Sequence, residues 1–163
     1  MTADSISIAR ADLNAAESLA LIGALNAELT AAHPEPGACH FQLDPKEVTG
    51  DRGVFLIVYR DGEPVGCGAL RLRDSETGEF KRMYVAPAVR GKGLGRRLVD
   101  ALEAEAKALG VQRLILETGV RLAPAIALYR SAGFQPIPLY GEYLASPETS
   151  YCMGKELQKP NKE

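Results

Sequence analysis

The chain has 163 residues, 46% of them hydrophobic and 25% charged, with 19 Lys+Arg against 21 Asp+Glu and a formal charge of −2. This is a globular composition and excludes intrinsic disorder for most of the length. There is no apolar run near the ~18 residues of a bilayer span and no secretory-type leader in MTADSISIAR, so a cytoplasmic protein without membrane attachment is expected. One domain over residues 1–163 is expected, its last few residues a flexible tail. Cys39, Cys67 and Cys152, without a CxxC and with only two histidines, argue against a disulfide framework and against a Cys/His metal site.

Ser5 to Arg10 alternates as a short strand, and Asp12 is placed to cap a helix whose apolar positions are Leu13, Ala16, Leu19, Ile22, Leu25 and Leu29. His33-Pro34-Glu35-Pro36-Gly37 ends it. Ala38 to Gly50 reads as loop or short helix, with Asp44-Pro45 a start signal. Gly53–Tyr59 and Val65–Leu72 form a hairpin around Asp61-Gly62, and a further strand runs from about Gly78 to Val85. The period then becomes helical through Leu94, Leu98, Ala101, Leu102 and Leu109, with Gly110 as the stop. Val111–Thr118 is a strand, Pro124–Ala132 a helix closed by Gly133, and Phe134–Pro138 and Ser150–Leu157 are the final strands. A strand-helix-strand crossover makes one pair parallel, so the expected class is α+β with a mixed, mostly antiparallel sheet.

The near-zero charge hides an asymmetry. Between Phe80 and Val99 the chain carries Lys81, Arg82, Arg90, Lys92, Arg96 and Arg97 and no acid, which leaves the remainder at −8. One short basic block points to a local anion site, whereas a nucleic-acid-binding protein would spread such charge over a face. Arg90-Gly91-Lys92-Gly93-Leu94-Gly95-Arg96 lies between a strand and a helix, where the first helical N–H groups lack intrahelical acceptors and the helix dipole favours negative charge. Phosphate is the expected guest, against the plainer reading of a glycine-permissive helix entry with solvated cations. A P-loop is excluded because no Gly-Lys here is followed by Ser or Thr, and the G-x-G-x-G spacing is not that of a dinucleotide fingerprint.

Arg90-x-x-Gly93-x-Gly95 after Met83-Tyr84-Val85-Ala86-Pro87, followed by Ala125-Ile126-Ala127-Leu128-Tyr129-Arg130-Ser131-Ala132-Gly133-Phe134, resembles the two signature segments of the GNAT superfamily of N-acetyltransferases. The order of elements agrees from Ile6 to Leu157, and residues 117–134 and 150–153 are similar to bacterial members of unassigned substrate. The resemblance implies a splayed sheet with helices on both faces and acetyl-CoA as co-substrate, with no metal. It places the pyrophosphate on amides from Arg90 to Arg96 and the pantetheine arm along Met83, Tyr84 and Val85. The family often has Asn five residues after the position of Glu117, contacting coenzyme A, and Leu122 stands there instead. Many relatives dimerise, so a homodimer is compatible with the resemblance.

Acetyl transfer to an amine needs a neutral nitrogen, a polarised thioester carbonyl and a proton for the departing thiolate. By resemblance, Glu79 and Glu117 occupy positions where different family members carry a catalytic glutamate, Tyr129 matches the tyrosine that protonates the thiolate, and a backbone N–H near Tyr84 or Val85 meets the oxyanion. Plainer readings stand beside these: Glu79 paired with Lys81 or Arg82, Glu117 a hydrogen-bond acceptor at a strand end, Tyr129 packed with Ile126 and Phe134, or no protein base at all. Cys67 reads as a small core residue, and His33 and His40 as loop surface, with an acceptor pocket the alternative. The implied activity is acetyl transfer to a primary amine of a small molecule or peptide in a ternary complex; the rival is a non-catalytic acyl-CoA-binding module of the same fold. The acceptor is expected to be chosen by residues from Leu25 to Thr49 and by a hairpin around Tyr140-Gly141-Glu142-Tyr143, and Glu35, Asp44, Glu47 and Glu142 are candidates to attract a cation.

Overall fold

A computed structural model describes residues 5–38 and 43–157; Cys39, His40 and the expected C-terminal tail lie outside them. Seven strands form one sheet in the order β1-β2-β3-β4-β5-β7-β6. They are β1 (Ile6–Arg10), β2 (Gly53–Arg60), β3 (Glu63–Leu72), β4 (Thr77–Val85), β5 (Arg113–Gly119), β6 (Gln135–Pro136) and β7 (Ser150–Glu156), with α1 (Ala16–Ala32), α2 (Leu94–Ala108) and α3 (Ala123–Ser131) as the helices. All neighbouring strands are antiparallel except β4 and β5. The α+β class is therefore observed as expected.

Period-two alternation sorts the core into two layers. Val54, Leu56 and Val58 of β2 face α2 and α3, where they join Leu98, Leu102 and Phe134, whereas Phe55 and Ile57 face α1 and join Leu21, Cys67 and Ala69. At the β2–β3 turn, Asp61 and Gly62 both adopt positive φ, 51° and 83°, the backbone twist that a tight hairpin requires.

Three readings of the sequence are corrected. Asp12 does not cap α1: the helix starts after Ala15, while Asp12 accepts the Asn14 N–H on its side chain and the Ser18 hydroxyl (2.6 Å) on its carbonyl. The buried stripe of α1 is Ser18, Leu21 and Leu25, so Leu25 is buried as expected, but Leu19 is 54% exposed; steps of three residues drift around a helix of 3.6 residues per turn, which carries Leu19 off the core face. Phe134 to Pro138 supplies only a two-residue β6, and the segment leading to β7 contains a 3-10 turn over Gly141–Ala145. The Asp44-Pro45 signal does start a short helical turn, Pro45–Val48, fastened by reciprocal bonds between Asp44 and Glu47.

Two departures from regular sheet position the site. The parallel pairing of β4 with β5 runs from Thr77↔Arg113 to Phe80↔Leu116 and stops, while β4 continues on β3 to Val85↔Gly66 and β5 on β7 to Gly119↔Ser150. The strands splay, leaving a wedge between residues 81–85 and 117–119. The β3–β4 register also shifts between Cys67↔Tyr84 and Ala69↔Lys81, so that β4 has one extra residue opposite Gly68, and Arg82 adopts φ +57° at this bulge. Gly68 makes room for it, since a Cβ there would lie 2.7 Å from Met83 Sδ.

Candidate active site

A cleft of about 480 Å³ fills the wedge, bounded by α1, the start of α2 and α3. At one end Gly91 and Gly93 both have φ +79° with open space where a Cβ would be, and Gly93 precedes the first residue of α2. Among the described residues the amides from Gly91 to Arg96 meet no acceptor, as the first turn of a helix dictates. Arg97 is the first to donate backward, to the Gly93 carbonyl at 3.2 Å. Ala86 donates to Val65 on β3, so by strand alternation the polar groups of Val85 point into the wedge, and Arg90 Nε indeed meets the Val85 carbonyl there at 2.7 Å.

The basic block divides by role. Arg90 clasps the Glu28 carboxylate of α1 through NH2 at 2.7 and 2.8 Å, and its guanidinium lies 5.8 Å from the Tyr84 ring centre. Arg96 binds Asp100 and the Ser131 carbonyl, whereas Lys92 and Arg97 are exposed. Gly95 allows α2 to approach α3, for its Cβ would lie 3.0 Å from Leu128. A loop of unengaged amides with open glycine positions, next to a strand edge at Val85 that no neighbouring strand covers, fits a phosphate-bearing chain with amide groups, as coenzyme A is. Met83, Leu94 and Leu122 line the same cleft with apolar surface.

The two candidate glutamates occupy opposite situations. Glu79 is fully buried and does not line the cleft: Oε1 accepts Arg71 Nε (2.8 Å) and Arg73 NH1 (3.0 Å), and Oε2 accepts the hydroxyls of Tyr140 (2.6 Å) and Tyr143 (3.1 Å). Its hydrogen-bond partners are thus Arg71 of β3, Arg73 just beyond that strand and two tyrosines, not Lys81 or Arg82. Glu117 lines the cleft and accepts one bond, 2.5 Å from Ser150 Oγ. Burial pushes its carboxyl up to about 7, with Ser150 and Lys81 opposing. Tyr129 also lines the cleft, its ring packed edge-on to Phe134 at 5.9 Å, and burial, reinforced by the Glu117 charge, raises its hydroxyl above the usual value. Core packing and exposure to the cleft therefore coexist in one side chain. Cys67 is buried against the Arg82 carbonyl, its thiol pushed up to about 12, which suits an inert core residue.

The acceptor end departs from expectation. His33 is not at the surface: it is 3% exposed, packs on Gly119, where a Cβ would lie 2.1 Å from its ring, and lines the cleft, as the alternative reading had it. Glu35 is bound by Arg121, Asp44 caps its own turn, and Glu47 and Glu142 are bound by Arg71, with Arg73 also on Glu142. None of these four acids lines the cleft. Lys81, Arg82 and Tyr143 do; Tyr143 belongs to the segment expected to choose the acceptor, whereas Lys81 and Arg82 were not expected there. The signal for the buried network was present, since Arg71 and Glu79 fall opposite each other once β3 and β4 are paired.

A fold of this class, with a splayed parallel pair over a glycine-rich helix start, is that of acyl-CoA-dependent transferases, and comparison with known proteins agrees. The profile described as acetyltransferase (GNAT) family matches residues 21–134, and the chain belongs to that family. It is 48% identical over 105 residues to the IAA acetyltransferase of Azospirillum brasilense, an alignment covering 63% of this chain and 67% of that one. It is similar, at 36% identity and TM-score 0.79, to a Klebsiella pneumoniae subsp. pneumoniae MGH 78578 structure named provisionally as an acyl-CoA N-acyltransferase, over 94% of this chain and 98% of the other. A GNAT family acetyltransferase from Elizabethkingia anophelis with acetyl-CoA bound shares the fold at 21% identity and TM-score 0.69, over 93% and 98% of the two chains. The chain thus has the fold of the GNAT acetyltransferases, and acetyl-CoA is the molecule bound in the Elizabethkingia protein. No helix among the described residues is long and apolar enough to cross a membrane.

Proposed function

We propose that the protein transfers an acetyl group from acetyl-CoA to a primary amine by direct transfer within a ternary complex, with Glu117 as general base and Tyr129 as general acid. The observation that carries this reading is the position of Glu117, inside the wedge and held near neutrality by burial. An amine of pKa near 10 is mostly protonated at neutral pH. A carboxylate of ordinary pKa is a poor acceptor for that proton; raising it from 4.5 to about 7 narrows the uphill step by roughly 3 kcal/mol.

The co-substrate supplies an activated acetyl group and a leaving thiolate. Amides from Gly91 to Arg96 bind its phosphates, and the Val85 edge orients its arm. Glu117 takes one proton from the ammonium, which frees the nitrogen lone pair. As the carbon–nitrogen bond forms and the carbon–sulfur bond breaks, the Tyr129 hydroxyl gives its proton to sulfur and the second proton of the nitrogen passes to the Tyr129 oxygen, restoring the phenol, while Glu117 releases its proton to water. In sum, one proton ends on the thiol and one is released to water. Glu79, enclosed by two arginines and two tyrosines, positions β4 and does not touch substrate. Free-thiol release from acetyl-CoA across a panel of amines tests the reading. Acceptor-dependent release that Glu117→Gln and Tyr129→Phe each suppress supports it; acetyl-CoA binding with no acceptor-dependent release by any amine would leave a binding module instead.

A further inference from the structure

Behind Glu117 stand two buried hydroxyls that acetyl transfer by itself does not explain. Ser150 opens β7 opposite Gly119, two residues beyond Glu117 on β5, so its side chain shares a face of the sheet with Glu117. Gly119 puts no side chain between them, and Ser150 Oγ leans diagonally to Glu117 Oε2 at 2.5 Å. Ser150 Oγ in turn lies 2.8 Å from the Oγ of Ser146, which closes the Gly141–Ala145 turn. The two serines are only 5% and 7% exposed. Their backbone is fixed independently of Glu117: the Ser150 and Thr149 amides both donate to the Ser146 carbonyl, at 3.0 and 3.2 Å, and the Ser146 amide donates to the Tyr143 carbonyl at 3.1 Å.

The proton count sets the direction of this chain. A hydroxyl has one proton to donate, and against an ionised Glu117 the Ser150 proton goes to Oε2. Between the two serines Ser146 is then the donor, because Ser150 has no second proton to offer. Its other contact, with the Tyr143 carbonyl, is longer at 3.4 Å. Donation into Ser150 polarises that hydroxyl and strengthens its own bond to the carboxylate. Oε2 is thereby engaged, while Oε1 meets no hydrogen-bond donor among the described residues. The turn that carries Ser146 is anchored on its other side by Tyr143, whose hydroxyl donates to Glu79. The two glutamates are therefore the ends of one path: Glu79 fixes the turn, and the turn, through Ser146 and Ser150, fixes Glu117.

We propose that Ser150 and Ser146 are positioning residues for Glu117, a donor chain that holds Oε2 and leaves Oε1 to receive the proton of the acceptor amine. The role of Glu117 as proton acceptor rests on the acetyltransferase reading; the chain itself does not. Burial favours the neutral carboxyl and a donor on Oε2 favours the ionised one, so the serines counter burial and keep Glu117 usable as a base at neutral pH. Other groups act on the same carboxyl: Lys81 of β4 favours ionisation, and Glu79 of β4 and Glu142 of the turn oppose it. Tyr129 of α3, Tyr143 of the turn and Cys152 of β7 all feel the Glu117 charge. Glu28 of α1 and His33 at its end share the cleft with Glu117, as do Arg82 and Tyr84 of β4 and Arg90. All of these remain when a serine is replaced, so a changed titration reads the hydroxyl.

Carbon-13 NMR of the glutamate carboxyls in the folded protein, with the Glu117 signal assigned by its loss in Glu117→Gln, follows the titration of Glu117 without turnover. The pH dependence of kcat/KM is measured beside it. Ser150→Ala removes the single donor and lets Ser146 turn to the Tyr143 carbonyl, so no buried donor is orphaned and the fold is retained. It should raise the Glu117 titration midpoint by about one to two pH units, the worth of a hydrogen bond to a charged group. From a parent midpoint of about 7, kcat/KM at pH 7 should then fall about five- to fiftyfold and recover at higher pH. Ser146→Ala should move both readouts in the same direction by less, and Ser150→Thr, which keeps the hydroxyl, should restore the parental titration. An unmoved Glu117 titration in Ser150→Ala overturns the proposal, as does a shift in Ser150→Thr equal to that in Ser150→Ala, which would trace the effect to packing. No shift in Ser146→Ala overturns the chain beyond Ser150. A shifted titration with an unmoved pH–rate profile leaves the chain in place and removes Glu117 as the base. If the parent protein releases no thiol in response to any amine, the acetyl-transfer reading fails, and the titration still decides the chain.

Discussion

Glu79 and Glu117 are near neighbours across the parallel strand pair: Glu79 lies opposite Ile115, two residues before Glu117 on β5. The last paired residues are Phe80 and Leu116, so one carboxylate sits just inside the zipped part of the sheet and the other just beyond it. That single step separates a carboxylate with four donors from one with a single donor and access to the cleft.

Activity and stability should respond to Glu117 in opposite directions. Its folded pKa of about 7 lies above its ordinary 4.5, so the folded chain holds this proton more tightly than the unfolded chain does. The stabilisation is complete below about 4.5 and is lost as pH rises through about 7. Catalysis needs the ionised form, so kcat/KM should climb through the same range. Glu117→Gln should lower kcat about 10²- to 10³-fold, while raising stability at pH 8 by about 1–3 kcal/mol and leaving it little changed at pH 4. Denaturant unfolding at the two pH values, with the pH–rate profile, checks both signs.

Glu79→Gln should behave as a structural lesion. Removing the charge leaves Arg71 and Arg73 with a poorer buried partner, at a cost of about 3 kcal/mol, read as a lower denaturant midpoint. Where the variant remains folded, kcat should fall far less than in Glu117→Gln. A large kcat loss at unchanged stability would instead make Glu79 the base.

Tyr129→Phe keeps the ring that packs against Phe134 and removes only the hydroxyl. It should lower kcat about a hundredfold, with the thermal midpoint and the acetyl-CoA affinity near those of the parent. Stopped-flow thiol release and a thermal melt together distinguish loss of a proton donor from loss of packing.

Two glycines should fail for different reasons. Gly93→Ala meets open space but has φ +79°, so it costs about 1 kcal/mol and should raise KM for acetyl-CoA with little effect on the acceptor. Gly119 has no such φ, but its Cβ would lie 2.1 Å from His33 Cε1, so Gly119→Ala must displace the ring and should destabilise by about 1–3 kcal/mol. Separate KM values for the two substrates, with unfolding curves, tell these apart.

The donor half of the site was legible because its chemistry is local. Glycines at a strand-to-helix junction expose amides whatever the rest of the chain does, and the order of strands and helices follows from changes of hydrophobic period. The acceptor half was not, because it depends on register. Arg71 reaches Glu79 only after β3 pairs with β4, and Lys81 joins Arg82 only through a bulge that no residue of the motif announces. His33, which closes the C-terminal end of α1, illustrates the same limit: it packs on Gly119, 86 positions away in sequence. The α1 stripe failed for a different reason, since alanines and leucines occupy nearly every face of that helix and dilute its periodicity.

The splay also determines what kind of guest the sheet can admit. An exposed strand edge is an open invitation to any extended chain, and such edges commonly lead to aggregation. Here the edge at Val85 lies within a slot between α1 and the head of α2, with Arg90 across its carbonyl and Glu28 clasping Arg90. Any chain that pairs with this edge must do so inside the cleft, where α1 and the head of α2 stand on either side. The sheet is thus left unfinished without presenting an open edge on the outer surface of the protein.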